Sequence, residues 1–124
     1  MSATTDDETV LREVLERWRT AVDAHRPQDV AAVFTEDALF QGLHPYGVGR
    51  DAVAAYYAAQ PPGMRAGYRI LETRRYADDL VLGYLDVAFT FTDRDPVAVK
   101  LAVLARRQED GWALAHYQVS RLGR

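Results

Sequence analysis

The stretch that most limits what this chain can fold into is its last third, from Val97 to Leu122. It reads as two long antiparallel strands, VAVKLAVLARRQ and WALAHYQVSRL, joined at Glu109-Asp110-Gly111. Asp-Gly between two apolar-rich runs is a strong hairpin signal, because glycine accepts the positive φ that a tight turn demands. Twelve strand residues at about 3.3 Å each span roughly 40 Å, which is long for 124 residues. Strands of that length twist and curl. The rest of the chain must supply what they curl around.

The N-terminal third supplies an amphipathic helix. Thr5 and Glu8 have capping-box spacing. Leu11, Val14, Leu15, Trp18 and Val22 then form an apolar stripe opposite Arg12, Glu13, Glu16 and Arg17. His25-Arg26-Pro27 ends the helix with cations near its last carbonyls and a proline that cannot continue it. A second short helix is expected over Asp29 to Phe34, beginning near Pro27, and a strand over Ala38 to Leu43. After the loop His44-Pro45-Tyr46-Gly47-Val48-Gly49, a third helix runs from Arg50 to Ala59, and Pro61-Pro62-Gly63 stops it. Long strands follow at Gly67 to Tyr76 and Leu80 to Thr92, with turns at Ala77-Asp78-Asp79 and Asp93-Arg94-Asp95-Pro96.

Helices first and a meander of hairpins afterwards predict a single α+β domain over residues 1–124. Its curved antiparallel or mixed sheet should wrap the N-terminal helix as a cone. Alternation places Leu85, Val87, Phe89 and Phe91 on one face with Val97, Val99, Leu101 and Val103. The last strand divides into Ala113, Ala115, Tyr117 and Val119 against Trp112, Leu114, His116, Gln118 and Ser120. The first set is assigned to the cavity, although a reversal of that strand would turn His116 and Gln118 inward. The second set leaves apolar area on the outer face, which a second copy of the chain would cover. A homodimer through Trp112, Leu114, His116 and Gln118 is the expectation.

Composition removes several functional classes. A net charge of −3 without a basic block argues against a nucleic-acid partner. No run is long and apolar enough for a membrane span, and MSATTDDE has no signal-peptide character, so a cytoplasmic protein is expected. Cysteine is absent, which excludes disulfides and thiolate-bound metals. His25, His44 and His116 lack short ligand spacing, so no metal site is expected.

Among motifs, Gly47-Val48-Gly49-Arg50-Asp51-Ala52 fits a dinucleotide fingerprint, with Glu72 about twenty residues on. The hairpins that follow leave no βαβ unit for such a ligand. Gly49 as a helix cap explains the stretch, and no cofactor is expected. His44 stands in a loop at the expected cone mouth, and His116 beside Gln118 could orient a ligand or join an interface. Asp86 and Lys100 are placed to pair across neighbouring strands. Arg74, Arg75, Arg106 and Arg107 form charged rims at strand ends. Trp18, Phe40, Tyr46, Tyr57, Phe89, Phe91 and Tyr117 come from elements that surround the cone and are the expected ligand-binding set, suited to a flat apolar molecule. Candidate catalytic groups are Tyr117, His44 and His116.

The order of elements, with FTEDALF entering a strand, GVGRDAV opening the third helix and DGWALAHYQVSRL closing the chain, resembles the nuclear transport factor 2-like superfamily. Within it the chain looks most like SnoaL-like proteins of the SgcJ/EcaC group. The resemblance implies a curved-sheet cone with an apolar cavity, usually a homodimer packed through the sheet. It also implies an association with bacterial natural-product pathways, polyketide and enediyne among them. Isomerase- and cyclase-type members use an acid or base inside the cone, whereas this chain's cavity face offers Tyr117 and no carboxylate. On this reading the protein binds a hydrophobic small molecule, with cofactor-independent cyclisation or isomerisation as the chemistry if it is an enzyme. The alternative is a ligand-carrying or assembly module without catalysis.

Overall fold

A computed structural model describes residues 6–121. The elements are α1 (Asp7–Asp23), α2 (Pro27–Ala31), β1 (Phe34–Gln41), β2 (Gly47–Val48), α3 (Arg50–Ala58), β3 (Arg65–Ala77), β4 (Leu80–Thr90), β5 (Val97–Gln108) and β6 (Gly111–Ser120). They build one open six-stranded sheet in the order β2-β1-β6-β5-β4-β3. Only β1 and β6 run parallel; every other pairing is antiparallel. The expected mixed, curved sheet is therefore present, with α1 laid across one face of it.

Local chemistry accounts for most of the boundaries. Asp6 precedes α1, with Asp7 and Glu8 in its first turn, where negative charge suits the helix dipole. Thr5 lies outside the described residues, and Glu8 instead holds Arg12 at 2.8 Å. The stripe buries Leu11, Val14, Leu15, Trp18 and Val22 as expected. Gly111 takes φ 123°, which closes the β5–β6 hairpin over Glu109 and Asp110. One boundary differs: β1 begins at Phe34, so the second helix is shorter than its apolar spacing predicted. Phe34 pairs with Leu114 of β6, and that strand contact overrides local helix preference.

Three unpaired residues bend the antiparallel part of the sheet, and β1 also shifts register against β6 between Phe34 and Leu39. Leu71 and Tyr76 in β3 and Ala115 in β6 each fall between successive partners. An extra residue of this kind kinks its strand and increases local twist. The one at Ala115 also inverts a face. Leu104 lies opposite His116 but Ala105 lies opposite Leu114, so the alternation restarts. Leu114 and Trp112 consequently point toward the helices, and Leu114 is 0% exposed. This corrects the sequence expectation that both would stand on the outer face, and it removes Ala113 from the inner set. Trp112 packs against the core, with the guanidinium groups of Arg75 and Arg107 at 5.8 and 5.7 Å from its ring.

Candidate functional site

The space enclosed by α1, α3, β1 and the β4–β6 face is filled with aromatic rings. Trp18 comes from the buried stripe of α1, Tyr57 from α3, Phe34 and Phe40 from β1, Phe89 from β4 and Tyr117 from β6. Phe40 stacks on Tyr117, while Trp18 meets Phe89 edge-on at 6.2 Å and Tyr117 at a tilt of 55°. Each such ring stabilises the fold by roughly 1.5–3 kcal/mol through burial. A filled interior is therefore favoured over a hollow one in the free protein.

Polar atoms within this cluster are few. The Trp18 indole N–H donates to the Tyr57 hydroxyl at 3.1 Å, and the Tyr57 and Tyr117 hydroxyls lie 3.2 Å apart. Trp18, Tyr57 and Tyr117 are 0%, 3% and 1% exposed. Burial pushes both phenols well above their ordinary range, so both stay neutral across physiological pH. Neutral phenols donate hydrogen bonds and do not act as bases.

Counting protons isolates the group available for chemistry. Indole and two phenols bring three donor protons, and two hydrogen bonds join them. Whichever hydroxyl donates to the other, one O–H proton has no acceptor among the described residues. Buried donors are ordinarily paired, and an unpaired one costs about 1–3 kcal/mol. A void of about 10 Å³ borders Tyr57, walled also by Ala21, Val22, His25, Val30 and Met64. That is the scale of a single water. When Tyr117 donates to Tyr57, the free proton is that of Tyr57, at the wall of this void, and it is then open to an oxygen of water or ligand. Among the described residues Thr35 is the sole polar or charged residue classed as buried, so no carboxylate belongs to the core.

The sequence-derived candidates divide. Trp18, Phe40, Tyr57, Phe89 and Tyr117 meet in the interior, and Phe91 packs at its margin with Arg94 over its ring. Tyr46 is 65% exposed in the loop and does not join them. His44 is exposed beside the loop, its ring 5.9 Å from Tyr56. His116 lies on the outer face and bonds Gln118 at 3.1 Å, so neither histidine reaches the hydroxyl pair. Tyr117 alone of the catalytic candidates lies inside. Sequence reasoning missed His25 and Met64 on the void wall; the cations after α1 read as a helix terminus, which they also are.

Elsewhere, Asp86 accepts from Lys100 and from Arg69 at 3.0 Å, which holds its carboxyl below the usual range. This charged row borders an outer trough of about 460 Å³ above Gly67, Ala88 and Ala98. Arg75 binds Asp7 at 2.7 Å and Arg106 binds Asp37 at 2.9 Å, so these rim arginines are tied to acids. In the fingerprint-like stretch, Gly49 caps α3 at φ 90° and antiparallel strands follow, which leaves no βαβ unit. Among the described residues no group of three acidic, histidine or cysteine side chains is gathered to hold a metal ion, and no helix is long and apolar enough to cross a membrane.

A family model described as a SnoaL-like domain matches residues 3–119. No curated protein matches. Solved structures do. A ketosteroid isomerase-like protein from Erwinia carotovora atroseptica aligns with TM-score 0.79 and 22% identity over 97% of this chain and 99% of its own. A candidate calcium/calmodulin-dependent protein kinase II association domain from Xanthomonas campestris aligns with TM-score 0.84 and 14% identity over 98% and 92%. A candidate aromatic ring hydroxylase from Novosphingobium aromaticivorans aligns with TM-score 0.73 and 21% identity over 95% and 90%. At such identities the likeness carries the fold alone.

Proposed function

The chain belongs to the SnoaL-like domain family, and from that premise we propose that it binds a small apolar, ring-containing molecule through one hydrogen-bond-accepting oxygen. The observation that carries this reading is the uncommitted O–H proton of the Tyr57–Tyr117 pair, buried among aromatic rings beside a void. A carbonyl or phenol oxygen would satisfy it. The surrounding rings would hold a flat skeleton. Met64 on the void wall has a flexible thioether chain that can move aside for a guest larger than water.

The same chemistry bounds catalysis. A neutral phenol can polarise a carbonyl and stabilise negative charge developing on its oxygen. It cannot withdraw a proton from carbon, and the core holds no carboxylate to do so. Binding or carbonyl polarisation without a cofactor fits this interior better than isomerisation through a buried base. Flat polyketide-type skeletons carry such oxygens, which agrees with a role in bacterial natural-product biosynthesis.

A second reading rests on a different surface. Val48, Leu39, His116, Leu104 and Leu82 lie directly opposite one another across five strands on the outer face. Leu39 and Val48 are exposed, and the other three are half-buried. A second copy packed on this row would make a homodimer, and the protein would then serve in assembly with its interior filled. The interface row differs from the sequence expectation because Trp112 and Leu114 have turned inward, while His116 and Gln118 remain outside.

Titration with acetophenone, read by Trp18 fluorescence in a Trp112→Phe background, tests the binding reading. Saturable quenching is the expected result. Quenching that rises linearly without saturation would count against an interior site.

A further inference from the structure

The turn that leaves α1 is of a kind ordinarily built on glycine. Arg26 N–H donates to Ala21 O and His25 N–H to Val22 O, both at 3.0 Å, the paired bonds of a Schellman close. Its left-handed residue is His25, at φ 54°, the one non-glycine residue with positive φ among those described. A side chain at such a position costs stability that glycine would spare. The turn therefore does not explain the histidine.

Its surroundings do. His25 is half-buried on the wall of the void beside Tyr57 and Met64. Arg26, on the same wall, faces Asp29 at 3.8 Å, and Tyr57 is engaged with Trp18 and Tyr117. The His25 imidazole has no side-chain hydrogen bond or ion pair among the described residues. Near the His44 loop, side-chain contacts cover the interior. Tyr56 packs edge-on against Phe40 at 4.9 Å and accepts Leu43 N–H at 3.3 Å, while Gln41 donates to the His44 carbonyl at 2.5 Å.

We infer that His25, with Met64, forms the mouth of the interior site, so that a ligand reaches Tyr57 at the corner between α1 and α2. This rests on the interior-binding reading for its ligand, an apolar ring compound that enters oxygen first. It does not rest on that reading for the route itself. His25→Gly separates the two, because it removes the side chain at the mouth while relieving the backbone.

In the Trp112→Phe background, His25→Gly should raise the melting temperature by about 2–5 °C. It should also speed acetophenone association and dissociation together by about fivefold, with little change in Kd. His44→Gly should leave both rates as they are. Unchanged rates in His25→Gly, or equal acceleration in His44→Gly, would overturn the route. If acetophenone does not bind at all, the interior-binding reading falls, and acrylamide quenching of Trp18 reads the route instead. His25→Gly should then raise the quenching constant about threefold in a protein that is more stable, not less. No rise would overturn the inference.

Discussion

Phe40 lies almost flat on Tyr117, with ring centroids 4.6 Å apart and planes 15° apart. The two are direct partners in the parallel β1–β6 pairing, so the sheet register itself brings the rings together. The stack fixes the Tyr117 phenol where its hydroxyl meets that of Tyr57.

Removing these hydroxyls should have unequal costs. Tyr117→Phe deletes one hydrogen bond and leaves one unpaired donor, as before, at a cost of about 1 kcal/mol. Tyr57→Phe deletes two bonds and strands both the Trp18 N–H and the Tyr117 O–H, which should cost about 2–3 kcal/mol. The double variant strands only the indole and should be no less stable than Tyr57→Phe alone. Urea denaturation of the three proteins checks this order; equal losses for the two single variants would contradict it.

The unpaired residue in β6 gives a sharper structural test. Deleting Ala115 leaves His116 opposite Leu104 and Leu114 opposite Ala105 in one regular register, so Leu114 and Trp112 stay inside. Leu114→Ala empties a buried position and should cost about 2–5 kcal/mol, whereas the deletion removes no core side chain and should lower the urea midpoint far less. A deletion as costly as Leu114→Ala would contradict this register.

Alkaline pH should act through the phenols. An unfolded tyrosine loses its proton near 10.0, while burial keeps Tyr57 and Tyr117 protonated well beyond that and raises Tyr68 to about 12. Above pH 10 the unfolded chain therefore binds fewer protons than the folded one, and stability falls as pH rises. The contribution is complete below pH 10.0 and is lost toward the folded values. Near-ultraviolet absorbance should show Tyr57 and Tyr117 ionising only with unfolding. On the acid side, hydrogen bonds hold Asp37 (from Thr35, then Arg106) and Asp86 (from Lys100, then Arg69) below 3.8. Their contributions are present above that pH and are lost as pH falls through the lowered values.

The outer face makes its own prediction. Leu104 stands next to His116, the middle of the row from Val48 to Leu82, so Leu104→Glu should abolish a homodimer that forms at micromolar concentration in the parent. Sedimentation equilibrium reads both states. A parent that is monomeric throughout would remove the assembly reading.

Much of this was legible in the sequence because periodicity reports burial. The stripe from Leu11 to Val22, the Asp-Gly hairpin and the inward face from Leu85 to Val103 follow from spacing alone. What spacing does not encode is where alternation restarts. The residue run WALAHYQVS contains no glycine or proline to mark Ala115, and the extra residue is visible only against β5. The same holds for Phe34, whose distance from Val30 suits a helix until Leu114 is placed beside it. Tyr46 shares the aromatic character of the interior set, but its loop carries it outward. His25 gave a correct helix end and concealed a second position, on the wall of a void that exists only once Tyr57 and Met64 arrive.

The central claim, that the interior offers a hydrogen-bond donor to a ligand oxygen, is tested most directly by comparing acetophenone with its oxygen-free isostere ethylbenzene. Affinities for both are measured by titration calorimetry in the parent protein and in a variant carrying Trp18→Phe, Tyr57→Phe and Tyr117→Phe together. Each single tyrosine variant retains a free O–H, and the tyrosine pair alone frees the Trp18 N–H, so only the three together remove every donor. The expected result is that preference for acetophenone over ethylbenzene falls about tenfold in the triple variant, as loss of one buried hydrogen bond requires. A preference that survives unchanged, or the absence of saturable binding by either compound, would contradict it.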